Sequence, residues 1–278
     1  MDRIRLFFRL LGISAKMDLA WLIRDTKYAL LAISTELIAN IASQAGIYLL
    51  AVRFGGVGGM QSDEVLFMMA YIVALSCLFG LFGSSNNGHI SRIIGRGQLE
   101  HLMIQPVSLP MQLMTSGFMP FTSGSLGIIL SLYLLFTAAA RLGLAIDFLW
   151  ALGLVGSLIV SLGIQVCIGY LFSAAAFYAP VAAEEITTDV YEILDGLSRY
   201  PLSGMPRFII APLLSLFPAG LIGWYPCMVL FGKPGFFALM PLGVLLLFFL
   251  ITQFVFRKGF KHYVQTGANR YLPHGFRN

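Results

Sequence analysis

Apolar residues in this chain gather into blocks of about 20, the length an α-helix needs to cross roughly 30 Å of hydrocarbon, and short polar segments separate the blocks. They fall at 28–52, 65–84, 113–140, 148–178, 208–223 and 236–256, which predicts an all-α, polytopic membrane fold of six transmembrane helices. The fourth block is too long for an upright helix and is expected to tilt or to run on into the cytosol. The fifth is short and ends among Pro218, Pro226 and glycines, so 218–234 is a candidate for backbone that dips into the membrane and returns. Broken backbone of that kind is tolerated where it lies against protein or a polar cavity.

Between the blocks the apolar period is that of surface helices. Ile4, Phe7, Phe8 and Leu11 recur at i, i+3, i+4 and i+7 opposite Arg5 and Arg9, which predicts an amphipathic helix lying in the membrane interface over 1–27. In the segment 85–106, a helix would put Arg92, Arg96 and Glu100 on one stripe and Ile90, Ile93 and Ile94 on another. That arrangement suits a membrane surface or a partner's groove, although Gly95 and Gly97 weaken the helix by roughly 1 kcal/mol each. At 183–206, Ile186, Val190, Ile193, Leu194 and Leu197 keep helical spacing while Glu184, Glu185, Asp189, Glu192 and Asp195 take the other face. This predicts an acidic cytosolic helix with Gly196 as a stop. The residues 257–278 form a basic cytosolic tail.

Composition agrees with a membrane protein. Of the 278 residues 58% are hydrophobic and 11% charged, with a mean hydropathy of +0.83, whereas soluble domains carry about 25% charged residues. The polar stretches are too short to bury a core of their own, so 1–278 is expected to be a single membrane domain. Of the 18 basic residues, all but Arg53, Arg141 and Lys233 fall on one side if both termini are cytosolic, as the positive-inside rule prefers. The basic pI is thereby a topology signal, and nucleic acid is not an expected partner. Arg9 within the first apolar run and the lack of a small-residue cleavage site argue against a signal peptide.

Glu36 is the acid well inside a predicted span, and Asn40, Ser43 and Gln44 follow it on one stripe. A carboxylate at that depth must face protein or water, so these four residues either line a translocation path or a subunit interface, or lock the first span to its neighbours through a protonated or hydrogen-bonded glutamate. Gly153, Ser157 and Ser161, flanked by Gly156 and Gly163, mark a close-packing face on the fourth span. Cys77, Cys167 and Cys227 show no CxxC spacing and read as buried small hydrophobes, and the scattered histidines do not form a metal motif. The loop FGGVGG lacks the strand and helix of a nucleotide fingerprint, Lys233 is followed by Pro234 without a Walker glycine, and the Glu184–Glu185 pair lacks the arginine of membrane CAAX proteases. A catalytic constellation is not expected.

An interfacial helix, six spans, GQLEHLMIQPVS at 97–108, SRYPLSGMP at 198–206, WYP at 224–226 and the ending KGFKHYVQTGANRY together resemble the ABC-2 type permeases, over nearly the whole chain. The resemblance is to small six-span permeases that work with a separate ATPase, with Glu100 where many relatives carry Asp. It implies a type V exporter-like fold, a second permease subunit as homodimer or paralogue heterodimer, and two ABC ATPase subunits that bind the ATP and Mg. It also implies that 85–106 is a coupling segment, with Arg92, Arg96 and Glu100 toward the ATPase. The site would be a bacterial inner (cytoplasmic) membrane, and the cargo an amphipathic, lipid-like or peptide substrate moved out of the cytosol. The competing readings are a proton-coupled secondary transporter using Glu36, for which inverted repeats would be required, and a membrane scaffold protein.

Overall fold

The computed structural model describes residues 3–82, 90–95 and 97–267. In chain order the helices are α1 (Arg3–Arg24), α2 (Thr26–Phe54), α3 (Ser62–Phe82), α4 (Ile90–Gly95), α5 (Leu99–Met103), α6 (Leu109–Thr115), α7 (Ser125–Arg141), α8 (Phe148–Ser173), α9 (Pro180–Ser198), α10 (Arg207–Ser215), α11 (Trp224–Leu230) and α12 (Leu239–Thr266). Short 3-10 turns at Ala174–Phe177 and Ala219–Leu221 follow α8 and α10. Among the described residues there is no β-strand, only an isolated bridge between Val57 and Met60. The helices α2, α3, α8 and α12 are long and apolar enough to cross a membrane. A fifth candidate is the pair formed by α10 and the stretch 219–230, bent by 77°.

Helix α3 is the spine of the bundle. Phe67, Met68, Tyr71, Ile72 and Leu75 are buried along it, and α2, α7, α8 and α11 all pack against it. By contrast α2 and α12 expose Leu30, Leu31, Ile38 and Leu49, and Leu246, Leu250 and Phe254, faces suited to lipid. The small-residue face of α8 is used for close packing at Ser161 and Gly163, whereas Gly153 and Gly156 are exposed. Ser161 is buried against the Tyr71 hydroxyl at 2.9 Å, and Gly163 lies so close under Leu245 of α12 that a Cβ there would come within 2.9 Å of it.

Two ion pairs mark one end of the bundle. Asp63 meets Arg141 at 3.6 Å and Glu64 meets Lys233 at 2.6 Å, so the start of α3, the end of α7 and the chain beyond α11 converge there. The opposite end holds α4, α5, the turn after α8, the start of α9 and the end of α12, and is marked by Arg92 with Glu184 at 2.7 Å.

The third apolar block is broken where a continuous helix was expected. α6 stops at Thr115 and α7 starts at Ser125, because Gly117, Pro120 and Gly124 interrupt a stretch that Phe118, Met119 and Phe121 keep apolar. Gly124 has φ +73, and a Cβ on it would lie 2.7 Å from the Cys77 carbonyl oxygen; one on Gly127 would overlap the Cys77 sulfur. α7 is thus pressed on α3 and begins level with Cys77, about 7 Å short of the far end of α3 at 1.5 Å per residue.

The acidic segment is also placed differently from a helix laid across one end. α9 begins beside Arg92, passes Tyr191 between Phe79 of α3 and Gly169 of α8, and brings Ser198 against Gly223 and Ile72. Pro201, Ser203 and Gly204 then pack on Gly58 and Gly59 of the α2–α3 turn, at the Glu64 end. The run 180–204 therefore reaches from one end of the bundle to the other, held by the apolar positions whose spacing predicted the helix: Val190, Leu194 and Leu197 join the core of α3. The block 208–223, the short fifth span whose end among prolines and glycines made 218–234 a candidate for broken backbone, is bent, by 77° between α10 and the stretch 219–230. It carries Leu221 inward to Ser161, whose hydroxyl donates to the Leu221 carbonyl at 3.4 Å, and the chain returns to Lys233 at the end from which it came.

The α8–α9 contact depends on Gly169, where any Cβ would overlap the Tyr191 hydroxyl. Gly169→Val should destabilise the detergent-solubilised protein by about 1–3 kcal/mol, the usual cost of overpacking. Tyr191→Ala in the same chain should recover part of the loss, as read from the shift in thermal unfolding midpoint.

Candidate functional site

The segment that leaves α3 and returns as α7 is folded onto the Arg92 end by its isoleucines and leucines. Ile90 and Ile94 are each 1% exposed and, with Leu99 and Leu113, pack on Ala176, Phe177, Ala183 and Tyr263, as the isoleucine stripe predicts. The helix stops at Gly95, and Gly97, at φ +66, turns the chain: the N–H of Gly97 donates to the Ile94 carbonyl and that of Gln98 to the Ile93 carbonyl, both at 2.9 Å. This is the glycine end of a helix, so Arg92 and Glu100 sit on separate helices, and the expected continuous stripe does not form. Arg96 lies outside the described residues.

Both described members of that stripe contact the chain itself. Arg92, about half exposed, donates to the buried Glu184 of α9. Glu100 accepts a hydrogen bond from the Tyr263 hydroxyl of α12 at 3.2 Å. They tie the segment to α9 and α12, two elements that sequence spacing could not pair with it. What stands out instead is the turn after α5, where Met103, Gln105 and Pro106 are exposed and Ile104 is 81% exposed. That turn is held in shape from beneath by the buried Gln112, whose amide donates to the carbonyls of Leu102 at 3.0 Å and Val107 at 2.7 Å. The exposed apolar tip is thereby held in one shape. At the same end of the bundle the rings of Tyr178 and His262 stack at 4.5 Å, at a cavity of about 110 Å³ between α4, the turn after α8 and the end of α12.

Past α6 the backbone leaves regular helix at 116–124, with Ser116 and Ser123 still bonded to the carbonyls of Gln112 and Met119, and two carboxylates accept from other N–H groups of the stretch. Asp18 of α1 is 5% exposed; one of its oxygens accepts from the N–H groups of Phe121 at 2.7 Å and Thr122 at 3.2 Å, and the other accepts from the Thr122 hydroxyl. Glu36 of α2 accepts from the N–H of Gly124 at 3.3 Å. Helix amino ends carry unpaired N–H groups and a partial positive charge, so carboxylates are the groups expected to stabilise this one. Glu36 and Asn40 border a crevice between α2, α3 and α7 of about 10 Å³, at the lower limit for a single water. The side chains of Ser43 and Gln44 lie outside the described set.

Sequence spacing singled out Glu36 but passed over Asp18 and Gln112, whose partners are chiefly backbone groups. Breaking the Arg92–Glu184 pair from one side leaves a buried carboxylate without its cation, which costs about 1–3 kcal/mol. Arg92→Ala should therefore lower stability by about that amount, and the exchange Arg92→Glu with Glu184→Arg should restore most of it, measured by thermal unfolding in detergent.

Compared with known proteins, residues 37–267 match a family model described as ABC-2 family transporter protein. No curated protein and no solved structure matches the chain.

Proposed function

Because the chain belongs to the ABC-2 transporter family, and is a multi-pass permease subunit of an ABC transporter that works with an ABC ATPase, we propose that it forms the path of a bacterial inner-membrane exporter. The Arg92 end faces the cytosol. Two permease subunits, identical or paralogous, stand over two ATPase subunits that bind the ATP and Mg, and closure of the ATPases drives the tips of the permeases together. The cargo is amphipathic, of lipid or peptide kind.

The observation that carries this reading is the rigid apolar tip at 103–106, presented at the end of the bundle opposite the Asp63 and Glu64 pairs. Charge supports the same orientation. Arg141 and Lys233 at the other end are each neutralised by an acid of α3, whereas Arg257, Lys258 and Lys261 are exposed near the Arg92 end. Arg199 and Arg207, expected on the cytosolic side, follow α9 toward the outer end, and the remaining distribution still obeys the positive-inside rule. In this orientation α2, α3, α7, α8, the run 180–204 and α12 make six crossings, α1 lies at the inner interface, and α10–α11 re-enter from outside. The residues 183–206 are then a crossing and its outer exit.

Of the three side chains first assigned to coupling, Arg92 and Glu100 position the segment and Arg96 remains the candidate contact. The tagged chain should draw an ABC ATPase out of native membranes in stoichiometric amount. Ile104→Asp should weaken that association by tenfold or more, as loss of a central apolar anchor does. Arg96→Glu should leave the protein inserted and dimeric while lowering transport-coupled ATP hydrolysis; unchanged coupling would remove Arg96 from the contact, and a preparation without any ATPase would remove the reading altogether.

A further inference from the structure

A push on the tip at 103–106 must reach α7 through the non-helical stretch 116–124, with Gly117, Pro120 and Gly124 in it. Left to itself such a stretch is a hinge, and would absorb the displacement. The chain that stiffens it is not its own neighbour in sequence. α1 packs against α6 on one side of the stretch, and through Asp18 it grips Phe121 and Thr122 on the other. Both carboxylate oxygens are engaged, and the side chain is buried, so releasing the grip would strand a charge together with two backbone donors away from water.

We propose that Asp18 is a positioning residue for energy coupling: it makes α1, α6 and the start of α7 one rigid piece, so that the ATPase stroke is delivered to the spanning helices. The interfacial helix is on this account a strut, and its part is mechanical as well as anchoring. The inference rests on the reading that the tip meets the ATPase.

Geometry sets the variants. Asn can imitate Asp here, its carbonyl oxygen accepting the two N–H groups and its amide donating to the Thr122 hydroxyl, whereas Ala can do neither. With the reconstituted permease–ATPase complex, Asp18→Ala should keep the ATPase bound and hydrolysing at the wild-type basal rate while transport per ATP falls at least tenfold; Asp18→Asn should stay within about threefold of wild type. Should Asp18→Ala fail to insert, Thr122→Val, which removes one of the three donors, is expected to lower transport per ATP by about threefold.

The rigid piece has its own readout. Spin labels at the exposed positions Phe8 and Tyr133, introduced as cysteines, should keep their separation to within about 2 Å, the scale of small helix shifts, between the nucleotide-free and ATP-bound complexes. In Asp18→Ala the distribution should broaden. Wild-type transport per ATP in Asp18→Ala, or a change in the Phe8–Tyr133 distance on ATP binding in the otherwise native protein, would overturn this inference alone. Absence of any ATPase from the wild-type preparation would overturn the reading beneath it and this inference together.

Discussion

A backbone N–H in hydrocarbon has no water to turn to, and the way this chain meets that constraint at the start of α7 governs the rest of its architecture. A helix of 17 residues is about 25 Å long, short of the roughly 30 Å of a bilayer core. The missing depth is covered by irregular backbone, which is tolerable only when its donors are satisfied by protein. Asp18 and Glu36 supply acceptors from two other helices. With those donors satisfied, α7 can press on α3 through Gly124 and Gly127, and α3 can serve as the common wall for α2, α8 and α11.

The same economy shows in the other charged groups. Glu64, at the amino end of α3, accepts from the Gln61 N–H at 3.0 Å and also meets Lys233, fixing a helix start and the return of the bent α10–α11 stretch with one side chain. Glu184 joins α9 to α4. Asp195 pairs with Arg199 at the last turn of α9, just before the chain crosses to Gly58. In a protein with 11% charged residues, these groups stand at junctions between helices that are far apart in sequence.

Hydropathy was a good guide wherever a helix is straight and its surroundings uniformly apolar, as in α2, α3, α8 and α12. It failed in two instructive places. Phe118, Met119 and Phe121 carried the apolar signal through a loop, since hydropathy measures transfer to lipid and is blind to backbone shape; Gly117, Pro120 and Gly124 were the readable warning. Across 180–204 the apolar spacing of Val190, Leu194 and Leu197 was read correctly and is the face that packs on α3, while five acids on the other face hid that the run reaches from one end of the bundle to the other. At the coupling segment the composition was informative and the geometry was not, because a single positive φ at Gly97 turned Arg92 and Glu100 onto different helices. Asp18 could not have been found at all from spacing, as its partners, two backbone N–H groups and the Thr122 hydroxyl, lie about 100 residues away.

The acidic face of α9 gives these pieces a direction. In the single chain Glu185, Asp189 and Glu192 are exposed, while the opposite face of the same helix is buried in the core around α3 and α8. Tyr191, next to Glu192, is level with Phe79 near the end of α3 that lies toward Arg92, so the exposed acids lie between that end of the bundle and the level of Phe79. Carboxylates at that depth are costly against lipid, and salt bridges within the chain do not cover them among the described residues. The face therefore calls for water or for a second permease subunit. On the reading proposed above, that face is turned toward the second permease subunit, and α2 and α12, with their exposed leucines and phenylalanines, toward the lipid.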